Sequence, residues 1–115
     1  MTAVRFEDWE RQRVERATGV LSTIAPDGGP HAAPVMIWFE GDNLRFETEP
    51  DSRKFKNLIR DPKVSICVFG QPKWAVVVRG RAEVLSPGTP GGGMEDQAQI
   101  LVRPERKVSW RRKEG

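Results

Sequence analysis

With 115 residues, of which 37% are hydrophobic and 30% charged, the chain can bury one hydrophobic core. It has no run of about 18 apolar residues and opens on the polar stretch Met1-Thr2-Ala3-Val4-Arg5, which argues against a membrane-spanning helix or a secretory leader and predicts a cytoplasmic protein with no membrane partner. The net charge of +3 favours anionic partners in general, whereas one cysteine, Cys67, and one histidine, His31, leave no internal disulfide and argue against a thiolate or multi-histidine metal site and against a Ser/His/Asp hydrolase.

Phe6, Trp9, Val14 and Ala17 recur at loosely helical spacing behind Glu7 and Asp8, which predicts an N-terminal helix from Phe6 to Ala17 ended by Gly19. Val20 to Ala25 is a β-rich run, Pro26-Asp27-Gly28-Gly29-Pro30 a tight reversal, and His31 to Glu40 the returning strand. Pro34 cannot donate to a sheet ladder, so this strand should lie at an edge, bulge, or turn toward a ligand there. After the turn Gly41-Asp42-Asn43, the residues Leu44, Phe46 and Thr48 alternate with Arg45, Glu47 and Glu49 as in a half-exposed strand.

Ser52 to Arg60 reads as a short helix with Phe55, Leu58 and Ile59 on its apolar face, stopped at Asp61-Pro62. Lys63 to Phe69 is a strand in which Cys67 reads as a packed core thiol. Gly70 to Lys73 is a turn, and Trp74 to Leu85 is a longer strand with Trp74, Val76, Val78, Ala82 and Val84 on one face. Gly80 on that face marks a bulge or a close backbone approach. Ser86 to Gly93 is a flexible connection, and a final strand starts near Gln99 to Val102 and resumes at Lys107 to Trp110. So many short antiparallel strands predict a mainly β (α+β) domain over residues 1–115, a barrel with short helices at its ends.

The richest segment for chemistry runs from Phe46 to Leu58. It leaves a strand at Thr48 and enters a helix near Ser52, so free backbone N–H groups, the Ser52 hydroxyl and the cations of Arg53 and Lys54 can converge at the positive end of a helix dipole. Such a convergence suits a phosphate, with Arg gripping two oxygens and Lys adding a point charge. The same residues also suit a simpler role, with Asp51 or Ser52 as a cap and Arg53, Lys54 and Lys56 as a solvated face.

Gly19-Val20-Leu21-Ser22-Thr23-Ile24, Asp27-Gly28-Gly29-Pro30-His31, Pro34-Val35, Ser52-Arg53-Lys54-Phe55-Lys56-Asn57-Leu58, Arg60-Asp61-Pro62-Lys63-Val64-Ser65 and Val78-Arg79-Gly80-Arg81-Ala82 stand in that order. The series resembles the pyridoxamine 5′-phosphate oxidase-like superfamily of flavin-binding split barrels, and in particular its short branch that includes deazaflavin-dependent reductases. The resemblance implies a single split-barrel flavin-binding domain, a homodimer, and a site between subunits for FMN or the deazaflavin coenzyme F-420, with a slight lean to the deazaflavin. It puts Thr48, Ser52, Arg53, Lys54 and Asn57 on the cofactor-phosphate positions and Pro34, Val35, Met36 and Ile37 on the strand along the flavin ring. It assigns no catalytic residue and no metal.

The activity implied is a flavin- or deazaflavin-dependent oxidoreductase passing hydride between the cofactor and a small conjugated substrate. The alternative within the same resemblance is a non-catalytic cofactor carrier. A nucleic-acid-binding barrel that uses Trp38, Trp74 and the C-terminal cations Arg103, Arg106, Lys107, Arg111, Arg112 and Lys113 is disfavoured, because the positive charge is not interleaved with exposed aromatics as such binding requires.

Overall fold

The structure, a computed structural model, describes residues 3–112. The elements are α1 (Asp8–Val14), β1 (Thr18–Ile24), β2 (Pro30–Met36), β3 (Trp38–Glu40), β4 (Asn43–Thr48), α2 (Arg53–Arg60), β5 (Lys63–Gly70), β6 (Trp74–Ser86), a 3₁₀ turn (Gly93–Asp96) and β7 (Ala98–Arg111). The strands form one seven-stranded antiparallel sheet in the order β2-β1-β5-β6-β7-β4-β3. The sheet curls so that β2 comes back against β4 without pairing to it. The result is a half-barrel with a split between those strands, as the sequence led one to expect.

Period-two alternation places the core inside this curl. Leu21, Val64, Ile66, Val68, Val76, Val78, Ile100 and Val102 point inward, and Leu44 and Phe46 join them with no exposed surface. α2 lies against β1 and β2 and contributes Phe55 and Leu58, while Ile59 stays 60% exposed and does not belong to the buried face. No helix among the described residues is long and apolar enough to cross a membrane.

Four local expectations are corrected. The first helix is shorter than Phe6 to Ala17, because Arg16 adopts φ 60° and turns the chain before Gly19, which lies inside β1. A side chain at Gly19 would press on Ile37 Cδ1 at 2.5 Å. The run from His31 to Glu40 is two strands at opposite ends of the sheet: the β1 register runs on to the bond from the Ile37 N–H to the Ala17 carbonyl at 2.9 Å, and from Trp38 the chain pairs with β4.

Cys67 is only half-buried, on the outer face with Ser65 and Phe69. The last strand is continuous from Ala98 to Arg111, with a bulge where Gly80 pairs Pro104 and Arg79 pairs Arg106. At Gly80 the close approach expected from the sequence is present, for a Cβ there would overlap the Arg103 carbonyl oxygen. The edge placement of Pro34 also holds, because β2 pairs only with β1.

The N-terminal arm is fastened by one buried charge. Glu10 on α1 has no exposed surface, and its Oε1 accepts from Lys107 Nζ and from the Glu7 N–H, each at 2.7 Å. Burial opposes ionisation of Glu10, but the bonds from Lys107 and the Glu7 backbone outweigh it and hold the carboxyl below its ordinary range. Lys107 also donates to the Arg5 carbonyl at 2.7 Å, so one ammonium ties both α1 and the arm before it to β7.

Candidate functional site

β4 delivers Thr48 into the interior at 2% exposure, and the chain then turns into α2 with Ser52 as its N-cap. The two hydroxyl oxygens are 3.0 Å apart, and Ser52 Oγ also accepts from the Phe55 N–H at 3.3 Å. A serine hydroxyl has two acceptor sites and one donor. With Thr48 donating, both acceptor sites of Ser52 are filled and its own O–H is left for an acceptor outside the helix. The Ser52 carbonyl takes the Lys56 N–H at 3.1 Å, so this cap leaves the N–H groups of Arg53 and Lys54 for a ligand or solvent.

The electrostatics of this corner suit an anion. The first turn of α2 contains no acidic residue and begins with Arg53, exposed, and Lys54, half-buried. Asp51, the residue most at odds with an anion, lines a separate cleft of about 310 Å³ together with Glu49, Thr89 and Met94. Asn57 is buried, and its amide donates to Thr23 Oγ1 at 3.1 Å and accepts from Arg60 at 3.2 Å. Arg60 also bonds the Ile24 carbonyl. Asn57 therefore clamps α2 onto β1 and sets the height of the α2 N-terminus.

Across the split lies the edge strand. Pro34 and Met36 face outward while Val35 and Ile37 are core residues; Val35 and Ile37 also stand at the hydrogen-bonded positions opposite Gly19 and Ala17, so the main-chain groups open to a ligand are the Pro34 carbonyl and those of Met36. Alternate backbone groups of an edge strand point away from its single partner, here toward β4. Met36 lines a cleft of about 490 Å³ with Arg16, Trp38, Glu47, Met94 and Gln97. The structure thus brings Met36 near the end of β4, but Ser52, Arg53 and Lys54 do not line that cleft.

Met94, Gln97 and Glu47 were not legible as site residues. Met94 sits in a segment that reads only as a connection, and Gln97 reaches the cleft because β7 pairs with β4 through Thr48 and Ala98. Trp38 lines the cleft beneath the Arg45 guanidinium, 5.5 Å from its ring centroid. Trp74 is core, and His31, at the other end of β2, does not line the Met36 cleft.

Comparison with known proteins agrees with this geometry. A family model described as pyridoxamine 5′-phosphate oxidase matches residues 7–108. The pyridoxine/pyridoxamine 5′-phosphate oxidase of Thermobifida fusca (strain YX) is 33% identical over 107 residues, which is 87% of this chain and 46% of that protein. The chain therefore spans about half the length of that relative. Among solved structures, an F420 reductase matches with a TM-score of 0.77 at 23% identity, over 90% of this chain and 98% of the other. A conserved hypothetical protein from Mycobacterium tuberculosis matches with a TM-score of 0.78 at 25% identity, over 95% and 86%. Because the family model covers nearly all of the described chain and the sheet has the family's split, this chain belongs to the pyridoxamine 5′-phosphate oxidase family and has its split-barrel fold.

Proposed function

We propose that this chain is a single flavin-binding domain that works as an oxidoreductase with FMN or the deazaflavin coenzyme F-420. The observation that carries the reading is the start of α2, where Ser52 caps the Phe55 N–H, leaving the N–H groups of Arg53 and Lys54 outside the cap, and the first turn begins with two cations and holds no acid. A phosphate there would be held by charge-assisted hydrogen bonds. Thr48 orients Ser52, and Asn57 keeps α2 seated on β1. Pro34, Val35, Met36 and Ile37 form the wall along the ring, with Met36 offering both main-chain groups and a side chain.

When bound, the cofactor supplies the hydride chemistry, and this chain supplies orientation and shelter from water. A small conjugated substrate would stack in the Met36 and Trp38 cleft. The deazaflavin is the preferred cofactor, because the F420 reductase is matched over almost its entire length whereas the oxidase relative is about twice as long.

The working unit in this reading is a homodimer. Val20, Cys67, Val77 and Val108 are paired in register across four adjacent strands, and Phe69, Ala75 and Trp110 form the next row. Phe69 is 67% and Val108 66% exposed, which is costly on a lone chain and suits a self-complementary apolar face.

The test is a side-by-side titration of FMN and coenzyme F-420, repeated on the double variant Arg53→Ala/Lys54→Ala. Charge-assisted bonds contribute roughly 1.5–3 kcal/mol each, so the variant should bind about a hundredfold more weakly or worse with its melting temperature unchanged. Failure of both cofactors to bind, or an unaffected double variant, would overturn the assignment. Tight binding with no turnover across a broad acceptor panel would leave a carrier instead of an enzyme.

A further inference from the structure

A second cleft, of about 420 Å³, lies between α1, the β5–β6 turn and the end of β7, lined by Trp9, Arg13, Lys73, Trp74, Arg111 and Arg112. These residues are scattered over the chain, and the fold alone gathers them. Trp74 pairs directly with Arg111 in the β6–β7 ladder, and the Arg112 N–H donates to the Lys73 carbonyl at 2.8 Å.

Four cations meet here without an acidic residue in the lining, and none of the four forms an ion pair or a side-chain hydrogen bond among the described residues. Two of them are nevertheless ordered by stacking. Arg111 sits over the Trp9 ring at 4.9 Å and Arg13 over the Trp74 ring at 5.7 Å. A guanidinium anchored on an indole keeps its N–H donors for a ligand and loses little entropy when one arrives.

We propose that this cleft is a binding site for a nucleoside phosphate, distinct from the site at α2. The volume falls within the usual range for small-ligand sites, roughly 300–1,000 Å³. The charge matches a polyphosphate, and the exposed Arg13 and Arg111 guanidiniums, each held over an indole, give a flat ring a surface to stack on. A mononucleotide fits better than a nucleic-acid strand because, of the cations of β6 and β7 outside the cleft, only Arg79 and Arg106 lack an ion pair among the described residues. Beyond the cleft, Lys107 is held by Glu10, Arg103 by Glu83 and Arg81 by Glu105.

The test is calorimetric titration of the full chain with ATP, tripolyphosphate and a short single-stranded oligonucleotide, each with and without saturating FMN. ATP should bind with a 1:1 stoichiometry and a Kd in the micromolar range, about tenfold tighter than tripolyphosphate, and FMN should leave this binding unchanged. The double variant Arg13→Ala/Arg111→Ala should weaken ATP at least about tenfold, corresponding to roughly 1.4 kcal/mol, without altering FMN affinity. Both side chains are exposed, and a melting curve checks that the variant is folded. No saturable ATP binding, an affinity equal to that of tripolyphosphate, displacement by FMN, or far tighter binding of the oligonucleotide would each overturn the proposal. Because FMN affinity is read in the same experiment, loss of this site is distinguishable from loss of the cofactor site.

Discussion

Replacing Lys107 by Met should destabilise the fold by an amount that depends on pH in a predictable direction. The substitution keeps most of the apolar stem and removes the ammonium 2.7 Å from Glu10 Oε1, leaving a carboxylate with no exposed surface and only the Glu7 N–H to hold it among the described residues. Breaking a buried pair by removing one partner costs about 3–5 kcal/mol, and because the Lys107 side chain is 19% exposed the lower end, about 3 kcal/mol, is expected. For a domain of this size that lowers the melting temperature by roughly 10–20 °C. In the parent protein the Glu10 carboxyl is held below its ordinary range, so its stabilisation is present above the unfolded value and disappears as pH falls through the folded one. In the variant burial acts with little opposition and raises the folded value, so the variant gains relative stability as the carboxyl takes up a proton. The gap between the two proteins, measured by thermal melts from pH 7 down to pH 4, should therefore narrow with acid. Glu10→Gln, which has no charge to strand, should lose less than Lys107→Met. A gap under about 3 °C at pH 7, or one that does not change with pH, would refute the reasoning.

Other substitutions probe other parts of the structure. Gly80→Ala should cost about 1–3 kcal/mol in chemical denaturation, because its Cβ would meet backbone of Arg103 and Pro104, which cannot swing aside. Asn57→Ala should lower stability by about 1–3 kcal/mol by stranding the buried Thr23 hydroxyl, and any loss of cofactor affinity should be smaller than that of Arg53→Ala/Lys54→Ala. Val108→Asp, in the middle of the exposed apolar rows, should convert a dimer to a monomer in light scattering while the monomer stays folded; a variant with the parent's mass would remove this face as the interface.

The parts of the fold legible in the sequence are those written in local chemistry. Alternation gave β4, β5 and most of β6, the Ser52 cap and Asp61-Pro62 bounded α2, and the turn at Gly28, with φ 86°, closed the first hairpin. The first helix was overdrawn because nothing about Arg16 marks it as the residue that takes a positive φ. Glycine is the usual occupant of that conformation, and the nearest glycine, Gly19, was there for packing against Ile37.

The break at Ile37 shows why alternation alone cannot give topology. Val35 and Ile37 are buried, Phe39 is half-buried against the same core, and the residues between them face outward or sideways, so the period of two runs through without interruption. What changes is the pairing partner, from β1 up to Met36 to β4 from Trp38 onward. Side-chain periodicity reports which face is buried and is silent about which edge is paired. The same limit divides the two sites. The start of α2 was legible because Thr48, Ser52, Arg53 and Lys54 are close in sequence, whereas the basic cleft joins residues from Trp9 to Arg112. Each local stretch, Trp9 to Arg13, Lys73-Trp74 and Arg111-Arg112, carries too little charge to read as a site by itself; the fold gathers the three, and that juxtaposition is the reason to test it with a nucleotide.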